Sequence, residues 1–544
     1  MKIKWLSVLL ALLLSMHFAS SQSIEKQIDA IFAKAYPADS PGATVLIAKD
    51  DKVIYRKAFG MANLELNVSM KPEHVLELAS ITKQFTGVAI LMLMEEGKLS
   101  LQDPLSKYIA EYPKGNEITI HHLIIHTSGI KSYTDIPSFM ELARTDMTPI
   151  EIINKFKELP MDFDPGERYA YNNSAYILLG YIIEQVSGMS YEDYIQKNIF
   201  DKLGMKNSYY GSRSKIIPNR ASGYQPSGES YQNADYLSMT IPYAAGSLMS
   251  TVDDMFLWNK AIHHNTLISE KSKQLAFTNY TLNNGKQINY GYGWGINELA
   301  GVATIEHTGG IFGFTTSGIY VPEKNIYAIV LTNDNGKGPE TFNLKATAIV
   351  LGNPLVEKPA IALTEAQLQQ WIGAYQFEDV VRYITYKEGA LYSTREGGQP
   401  FRLIPLSENN FQFEGSFTTY DFSLKNGKKE VLFADRINKS KGIETDIKPK
   451  PEKESIMLST EILTEFEGTY ELQPSFHIVV RSENNRIFAQ ATGQPEFEIF
   501  AESENTFFLK VVEAKVTFNK NPDGSIKSLT LFQGGQEMEG KKIN

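Results

Sequence analysis

Ser80-Ile81-Thr82-Lys83 sets a hydroxyl and an amine three residues apart. On a helix that spacing turns the chain by about 300° and raises it by about 4.5 Å, so the lysine stem reaches back beside the serine oxygen. Serine is a poor nucleophile at neutral pH and needs a neighbour to take its proton. Lysine can do so only where burial or nearby cations lower its pKa. The apolar approach Val75-Leu76-Glu77-Leu78-Ala79 favours such burial. A helix N-terminus there would also favour the oxyanion that forms when an amide or ester carbonyl is attacked.

Spacing alone does not select this pair, because Ser128 to Lys131 and Ser212 to Lys215 repeat it. The first lies in Gly-containing loop sequence and the second in a polar loop, whereas Ser80 opens an amphipathic helical pattern. Tyr171-Asn172-Asn173 is a second element, set directly before another helical run. A tyrosine near two cations can be held partly as phenolate and exchange protons with the serine or the leaving group, and an asparagine amide can hold a substrate amide. Tyr231-Gln232-Asn233 has the same spacing without a following helix and serves as a decoy. His307-Thr308-Gly309-Gly310 closes a strand pattern, where glycines let substrate lie against the edge and expose amide donors.

The elements that must position these residues are legible as periodicity. Ala43 to Lys49 and Lys52 to Ala58 flank Asp50-Asp51 as a hairpin. Thr315 to Val321 and Ile326 to Thr332 flank Pro322-Glu323-Lys324-Asn325 as another, with Val302 to Thr308 as a third strand before them. Phe85, Val88, Ala89, Met92 and Leu93 place one apolar stripe on a helix ending near Gly97, and Tyr176, Leu179, Ile183 and Val186 do the same up to Gly188. An antiparallel sheet drawn from both ends of a region, with helices between, is an α+β arrangement.

After Pro354 and Pro359 the pattern becomes β-rich, with runs such as Leu403 to Phe413 and Phe507 to Phe518. It also looks duplicated. Trp371-Ile372-Gly373-Ala374-Tyr375 recurs as Phe466-Glu467-Gly468-Thr469-Tyr470, and Gly398-Gln399-Pro400 as Gly493-Gln494-Pro495, both at an offset of 95. Ser407-Glu408-Asn409 recurs as Ser503-Glu504-Asn505 at 96. The Pro-rich, charged Lys448 to Lys453 reads as an extended linker between the copies.

The order Ser-x-x-Lys, Tyr-x-Asn, His-Thr-Gly resembles the serine β-lactamase and penicillin-binding superfamily, closest to its class C branch. Leu78 to Thr86, His126-Thr127-Ser128-Gly129-Ile130 and Tyr171 to Tyr176 also look like family sequence, and the resemblance covers about residues 25 to 350. It implies a β-lactamase/transpeptidase-like domain: an antiparallel sheet flanked by helices, plus a helical subdomain. By the same resemblance Ser80 forms an acyl-enzyme, Lys83 and Tyr171 share general acid and base work, and Asn173 orients the substrate. The Ser80 and Gly310 amides form the oxyanion hole, and His307, Thr308 and Gly309 complete a substrate-binding strand. His307 departs from the class C pattern, which usually has lysine there. A mostly neutral histidine attracts a substrate carboxylate less, which moves the expected substrate from β-lactams toward peptides or esters. The tail looks similar to the paired β-barrels of D-aminopeptidases, one of which could cover the active-site mouth.

The expected organisation is a signal peptide at 1–21, a serine hydrolase domain at 22–355, and two small antiparallel β-barrel-like domains at 360–447 and 455–544. Lys2 and Lys4 precede an apolar run from Trp5 to Met16, and Ala19-Ser20-Ser21 offers a cleavage site, which implies a periplasmic or secreted protein. That run is shorter than a membrane span, and no later segment is long enough for one, so no span is expected after cleavage. Among 544 residues none is cysteine, which excludes disulfides, thiolate metal sites and a cysteine nucleophile. Net charge is -10 without basic clusters, so nucleic acid is not an expected partner. His121-His122 and His263-His264 lack the helical spacing of metal ligands, and no cofactor or metal is expected. The expected partner is a small-molecule or peptide substrate, with peptidoglycan fragments among the candidates. The leading reading is an exported acyl-serine peptidase, of DD-peptidase or D-aminopeptidase type, or an esterase. The alternative is a penicillin-binding sensor or cell-wall-fragment-binding protein with little turnover.

Overall fold

The computed structural model describes residues 24–543, apart from 137–138, 229, 355–359, 379, 396–397, 399, 415, 449–454, 474–475, 484, 493–495, 511–513 and 534–535. The expected export segment, most of the linker, Gln399, and the repeat Gly493-Gln494-Pro495 lie outside the described residues. The chain divides into two compact units, Met1–Val356 and Glu357–Asn544. No helix among the described residues is long and apolar enough to cross a membrane.

The first unit is built on a six-stranded antiparallel sheet. Its strands are β1 (Ala43–Lys49), β2 (Lys52–Phe59), β3 (Gly295–Leu299), β4 (Val302–Ile311), β5 (Phe314–Val321) and β6 (Ile326–Thr332), in the order β3-β4-β5-β6-β1-β2. Asp50 and Asp51, at φ 52° and 61°, make the tight turn between β1 and β2. Both ends of the unit meet where β1 pairs with β6, Ala43 opposite Thr332. β4 runs through Gly310 to Ile311, beyond the expected end at Thr308, and β3 is a strand that periodicity did not reveal.

Two helices carry the chemistry, α1 (Thr82–Glu95) and α2 (Asn173–Ser187). Each ends at a glycine with positive φ, Gly97 at 70° and Gly188 at 69°. α1 is not the one-striped helix expected: every residue from Thr82 to Leu93 is buried. It threads the middle of the unit, with Phe85 stacked 3.9 Å from Trp258 and Gly87 so close to the Tyr292 carbonyl that a Cβ would sit 2.5 Å from it. A helix enclosed on all sides needs no polar face. Side chains alternate across β5. Gly318 and Thr316 face the start of α1, while Ser317 meets Asn343 of the helix Glu340–Val350 on the opposite face.

The second unit contains two closed eight-stranded antiparallel barrels, from Gly373–Gln376 to Lys439–Thr445 and from Gly468–Gln473 to Gln536–Lys542. Leu403 to Phe413 is two strands, Phe401–Pro405 and Asn410–Phe413, and Phe507 to Phe518 is likewise Thr506–Leu509 and Ala514–Lys520. In the first case the bend at Leu406 to Asn409 divides what composition alone reads as a single run. Matching bonds recur in the two barrels. Tyr375 Oη donates to Trp371 O at 2.8 Å and Tyr470 Oη to Phe466 O at 2.7 Å. Asn409 Nδ2 donates to Phe422 O at 3.3 Å and Asn505 Nδ2 to Phe518 O at 3.2 Å.

Candidate active site

Ser80 sits in a short 3-10 turn, Ala79–Ile81, that leads into α1. Ala79 has φ 49°, a left-handed conformation costly for a residue with a side chain, and it lifts the serine out of the preceding strand direction. The turn is held from below. Thr316 Oγ1 donates to Leu78 O at 3.0 Å, and Leu78 N donates to Leu248 O at 2.8 Å. Gly309 lies against the same carbonyl: a Cβ there would come within 2.5 Å of Leu78 O and also meet Thr316 Oγ1. Gly309→Ala should therefore displace the nucleophile turn, lowering both kcat and the unfolding midpoint. Gly310→Ala, with no atom within 4 Å of its Cβ, should leave the midpoint unchanged. Thermal unfolding beside ester-hydrolysis kinetics checks both.

Lys83 is fully buried, and its Nζ contacts three oxygens: Ser80 Oγ at 3.2 Å, Asn173 Oδ1 at 2.9 Å and Ala245 O at 2.8 Å. Burial pushes its pKa well below the ordinary lysine value. A neutral amine has two N–H donors and one lone pair. The Asn173 and Ala245 oxygens can only accept, so they take both donors and leave the lone pair facing the Ser80 hydroxyl.

Tyr171 and Asn173 flank the N-cap of α2, Asn172, whose Oδ1 accepts from Ala175 N at 2.9 Å. The Tyr171 ring lies 4.8 Å from Lys83 Nζ and keeps 40% of its surface exposed. It is not held as phenolate. Burial of the hydroxyl raises its pKa, outweighing the lowering by a hydrogen bond with Ser80, and the expected pair of cations is absent because Lys83 and His307 both favour the neutral form.

His307 donates from Nδ1 to Thr308 O at 2.5 Å, since a carbonyl can only accept, and Nε2 then receives the Tyr290 hydroxyl at 2.9 Å. Burial, aided by nearby Lys83, lowers its pKa from 6.5 to about 3. Below pH 6.5 the unfolded chain binds a proton that the folded one does not, so stability falls as pH drops from about 6.5 toward about 3. The cost is about 1.4 kcal/mol per pH unit. The unfolding midpoint should drop from pH 7 to pH 5 with a shallower slope in His307→Gln; equal slopes would remove His307 as a cause.

A cleft of about 400 Å³ opens beside the serine, lined by Ser80, Asn173 and Gly310 and by Tyr133, Phe139, Leu237, Ile241 and Phe312 among others. None of the lining side chains among the described residues is charged. Strand alternation separates the expected binding residues. Gly310 reaches the cleft; Gly309 packs under the nucleophile turn, His307 turns toward Tyr171 and Tyr290, and exposed Thr308 is not part of the lining. The decoys are occupied elsewhere. Lys131 pairs with Asp162 and Lys215 with Glu192, while Tyr231 belongs to a separate two-stranded hairpin. The adjacent histidines are also engaged, His121 with the Tyr292 hydroxyl, His122 in a helix cap, His263 stacked on Tyr320 and His264 against Asp51.

Three contributors escaped the sequence reading. The Ala245 carbonyl has no side-chain signal at all. Tyr290, whose hydroxyl meets Nε2 of His307, stands in a Tyr-Gly-Tyr run that carries no motif. Buried His126 packs 4.4 Å from the Tyr171 ring, accepts Asn172 N at 3.0 Å, and sits in a stretch matched only as family sequence.

The beta-lactamase family model matches residues 28–351. A second family, described as a domain of unknown function (DUF3471), matches residues 452–542. Penicillin-binding protein 4* of Bacillus subtilis (strain 168) is 26% identical over 539 residues, covering 95% of this chain and 98% of its own. An octameric penicillin-binding protein homologue from Pyrococcus abyssi has a TM-score of 0.55 at 29% identity, over 78% of this chain and 99% of that one. D-amino acid amidase from Ochrobactrum anthropi SV3, solved with D-phenylalanine, shares the fold at a TM-score of 0.55 and 20% identity, over 61% of this chain and 98% of its own. The chain belongs to the beta-lactamase family and is a serine hydrolase of the β-lactamase and penicillin-binding superfamily.

Proposed function

We propose that the protein is an exported hydrolase that cleaves amide or ester bonds through an acyl-Ser80 intermediate, as a DD-peptidase or D-aminopeptidase type of peptidase or as an esterase. The observation that carries this reading is the neutral, buried Lys83, whose lone pair faces Ser80 Oγ at 3.2 Å. As Oγ attacks the carbonyl carbon, its proton passes to Lys83 Nζ, and the carbonyl oxygen becomes an oxyanion facing the Ser80 and Gly310 amides. Lys83, now an ammonium, returns that proton to the leaving amine or alcohol, relayed by the Tyr171 hydroxyl, which gives its own proton and takes the one from Lys83. Water then attacks the acyl carbon and gives a proton to Lys83, which passes it to Ser80 Oγ as the acyl C–O bond breaks, so that the acid leaves and both Ser80 and the neutral amine are restored.

The cleft favours a neutral, apolar acyl group, since its described residues offer no cation to a substrate carboxylate. Neutral His307 gives none either. The Bacillus subtilis relative is named a penicillin-binding protein, and the amidase shares the fold, which supports amide chemistry at this site. Export follows from the Lys2, Lys4 and Trp5 to Met16 pattern.

Intact-mass measurement after exposure to a penicillin, a D-Ala-D-Ala peptide, a D-amino-acid amide and a nitrophenyl ester, with turnover followed in parallel, tests the proposal. Transient acyl adducts with steady release of product from the ester or amide are expected. Stable adducts without turnover would replace the hydrolase with the sensor, and binding without any adduct or turnover would leave a cell-wall-fragment-binding protein.

A further inference from the structure

The Tyr171 ring keeps much of its surface exposed, and its backbone, just ahead of α2, belongs to no helix or strand. Neither enclosure nor a regular ladder of bonds therefore fixes it. Both amides beside it are held by one residue. Ala170 N donates to His126 O at 3.0 Å, and Asn172 N donates to His126 Nδ1 at 3.0 Å. The imidazole of His126 also packs 4.4 Å from the Tyr171 ring, centroid to centroid. One buried histidine thus meets the chain before the tyrosine, after it, and at its ring.

His126 makes these contacts at two local costs. Its φ of 60° is the left-handed region that disfavours a residue with a side chain, and its Nε2 is buried with no hydrogen-bond partner among the described residues. Because Nδ1 accepts, Nε2 carries the hydrogen of the neutral ring. Burial, with Lys83 and His307 nearby, holds that ring neutral. An imidazolium would turn an N–H toward the Asn172 N–H and lose the bond. The histidine is itself packed in place, with the Tyr290 and Tyr176 rings 4.9 and 5.1 Å away. The start of α2 has separate anchors, Asn172 Nδ2 on Ile130 O and Asn173 N on Ser132 Oγ. The two His126 bonds are the ones that bracket Tyr171.

We propose that His126 is a positioning residue for proton transfer by Tyr171, its carbonyl and Nδ1 holding the backbone on either side of the tyrosine so that the hydroxyl stays between Lys83 and the leaving group. The proposal rests on the reading of Tyr171 as the relay to that group. A misplacement of about 1 Å is enough to cost such a transfer most of its rate. The loss falls on leaving groups that need the proton: methoxide must receive one as the C–O bond breaks, whereas a nitrophenolate departs without it.

Two variants of the full chain test this. The amide of His126→Asn reaches the place of Nδ1 and tolerates a left-handed φ, whereas that of His126→Gln reaches the place of Nε2 and leaves Asn172 N without its acceptor. The measurement is kcat/KM for the methyl and nitrophenyl esters of one acyl group. His126→Gln should lose at least tenfold on the methyl ester and less than threefold on the nitrophenyl ester, and His126→Asn should stay within threefold on both. In a Tyr171→Phe background, adding His126→Gln should change methyl-ester turnover by less than twofold. Equal losses on the two esters, a full tenfold loss in the Tyr171→Phe background, or His126→Asn as impaired as His126→Gln would overturn the proposal. Should His126→Gln not fold, His126→Phe, which also lacks the acceptor, takes its place. If Tyr171→Phe keeps full methyl-ester turnover, or the unaltered protein hydrolyses neither ester, the relay reading fails by itself. Hydrogen exchange at the Asn172 amide then decides the positioning: it must quicken at least tenfold in His126→Gln but not in His126→Asn, and equal rates reject it.

Discussion

Ser80→Ala should abolish the acyl adduct with a nitrophenyl ester or a penicillin in an intact-mass spectrum and lower kcat/KM by about ten-thousandfold or more. Among the described residues of the cleft lining, the serine carries the one hydroxyl within hydrogen-bond reach of Lys83 Nζ, so without it water would have to attack the substrate directly. The fold should survive, because the hydroxyl removed faces a cleft and the turn is held through the Leu78 backbone. Ser128→Ala and Ser212→Ala are the controls. Ser128 Oγ receives Ile130 N and Ser212 Oγ receives Lys215 N, both local loop bonds, and adduct formation should persist in each. An adduct of unchanged size on Ser80→Ala would refute the nucleophile.

Lys83→Met should lower kcat/KM by about a thousandfold, the range of a removed general base, while leaving Ser80 in place. Its second effect is on stability, and the sign separates a base from a structural cation. The folded pKa of Lys83 lies well below the ordinary 10.5, because burial disfavours the ammonium, so below that pH the unfolded chain holds this proton more strongly than the folded chain does. Stability from this group therefore rises with pH up to about 10.5 and is diminished below that. Removing the amine removes that penalty, and the unfolding midpoint of Lys83→Met at pH 7 should equal or exceed that of the unaltered protein. The activity should also rise with pH along its acid limb, as Lys83 loses its proton, with no limb from His307 above about pH 4, given its pKa of about 3. A midpoint that falls sharply in Lys83→Met would mean that the ammonium, not the amine, is the buried species.

Much of the scaffold was readable because its signals are local. The Asp50-Asp51 and Pro322 to Asn325 turns, the strands on either side, and the helix stops at Gly97 and Gly188 all appear in short windows of sequence. Errors arose where a local window is ambiguous. Enclosure of α1 on every side cannot be read from a stripe, and Leu403 to Phe413 looks continuous because both strands of its hairpin are β-rich. Strand β3, Gly295–Leu299, has too few residues to show a clear alternation.

Order along the chain determined the candidate residues Ser80, Lys83, Tyr171, Asn173 and His307, and the turn residues determined the strands that carry His307. Only the tertiary structure decided which Ser-x-x-Lys pair has a free lone pair. Lys131 and Lys215 meet carboxylates, whereas Lys83 meets an amide oxygen 90 residues away and a backbone carbonyl 162 residues away, and no carboxylate among the described residues pairs with it. The same structure corrected Tyr171 from phenolate to hydroxyl and divided His307, Gly309 and Gly310 between different tasks. The reason is physical: a side chain's protonation depends on the water and charges removed around it by groups distant in sequence, and spacing along the chain does not encode that sum.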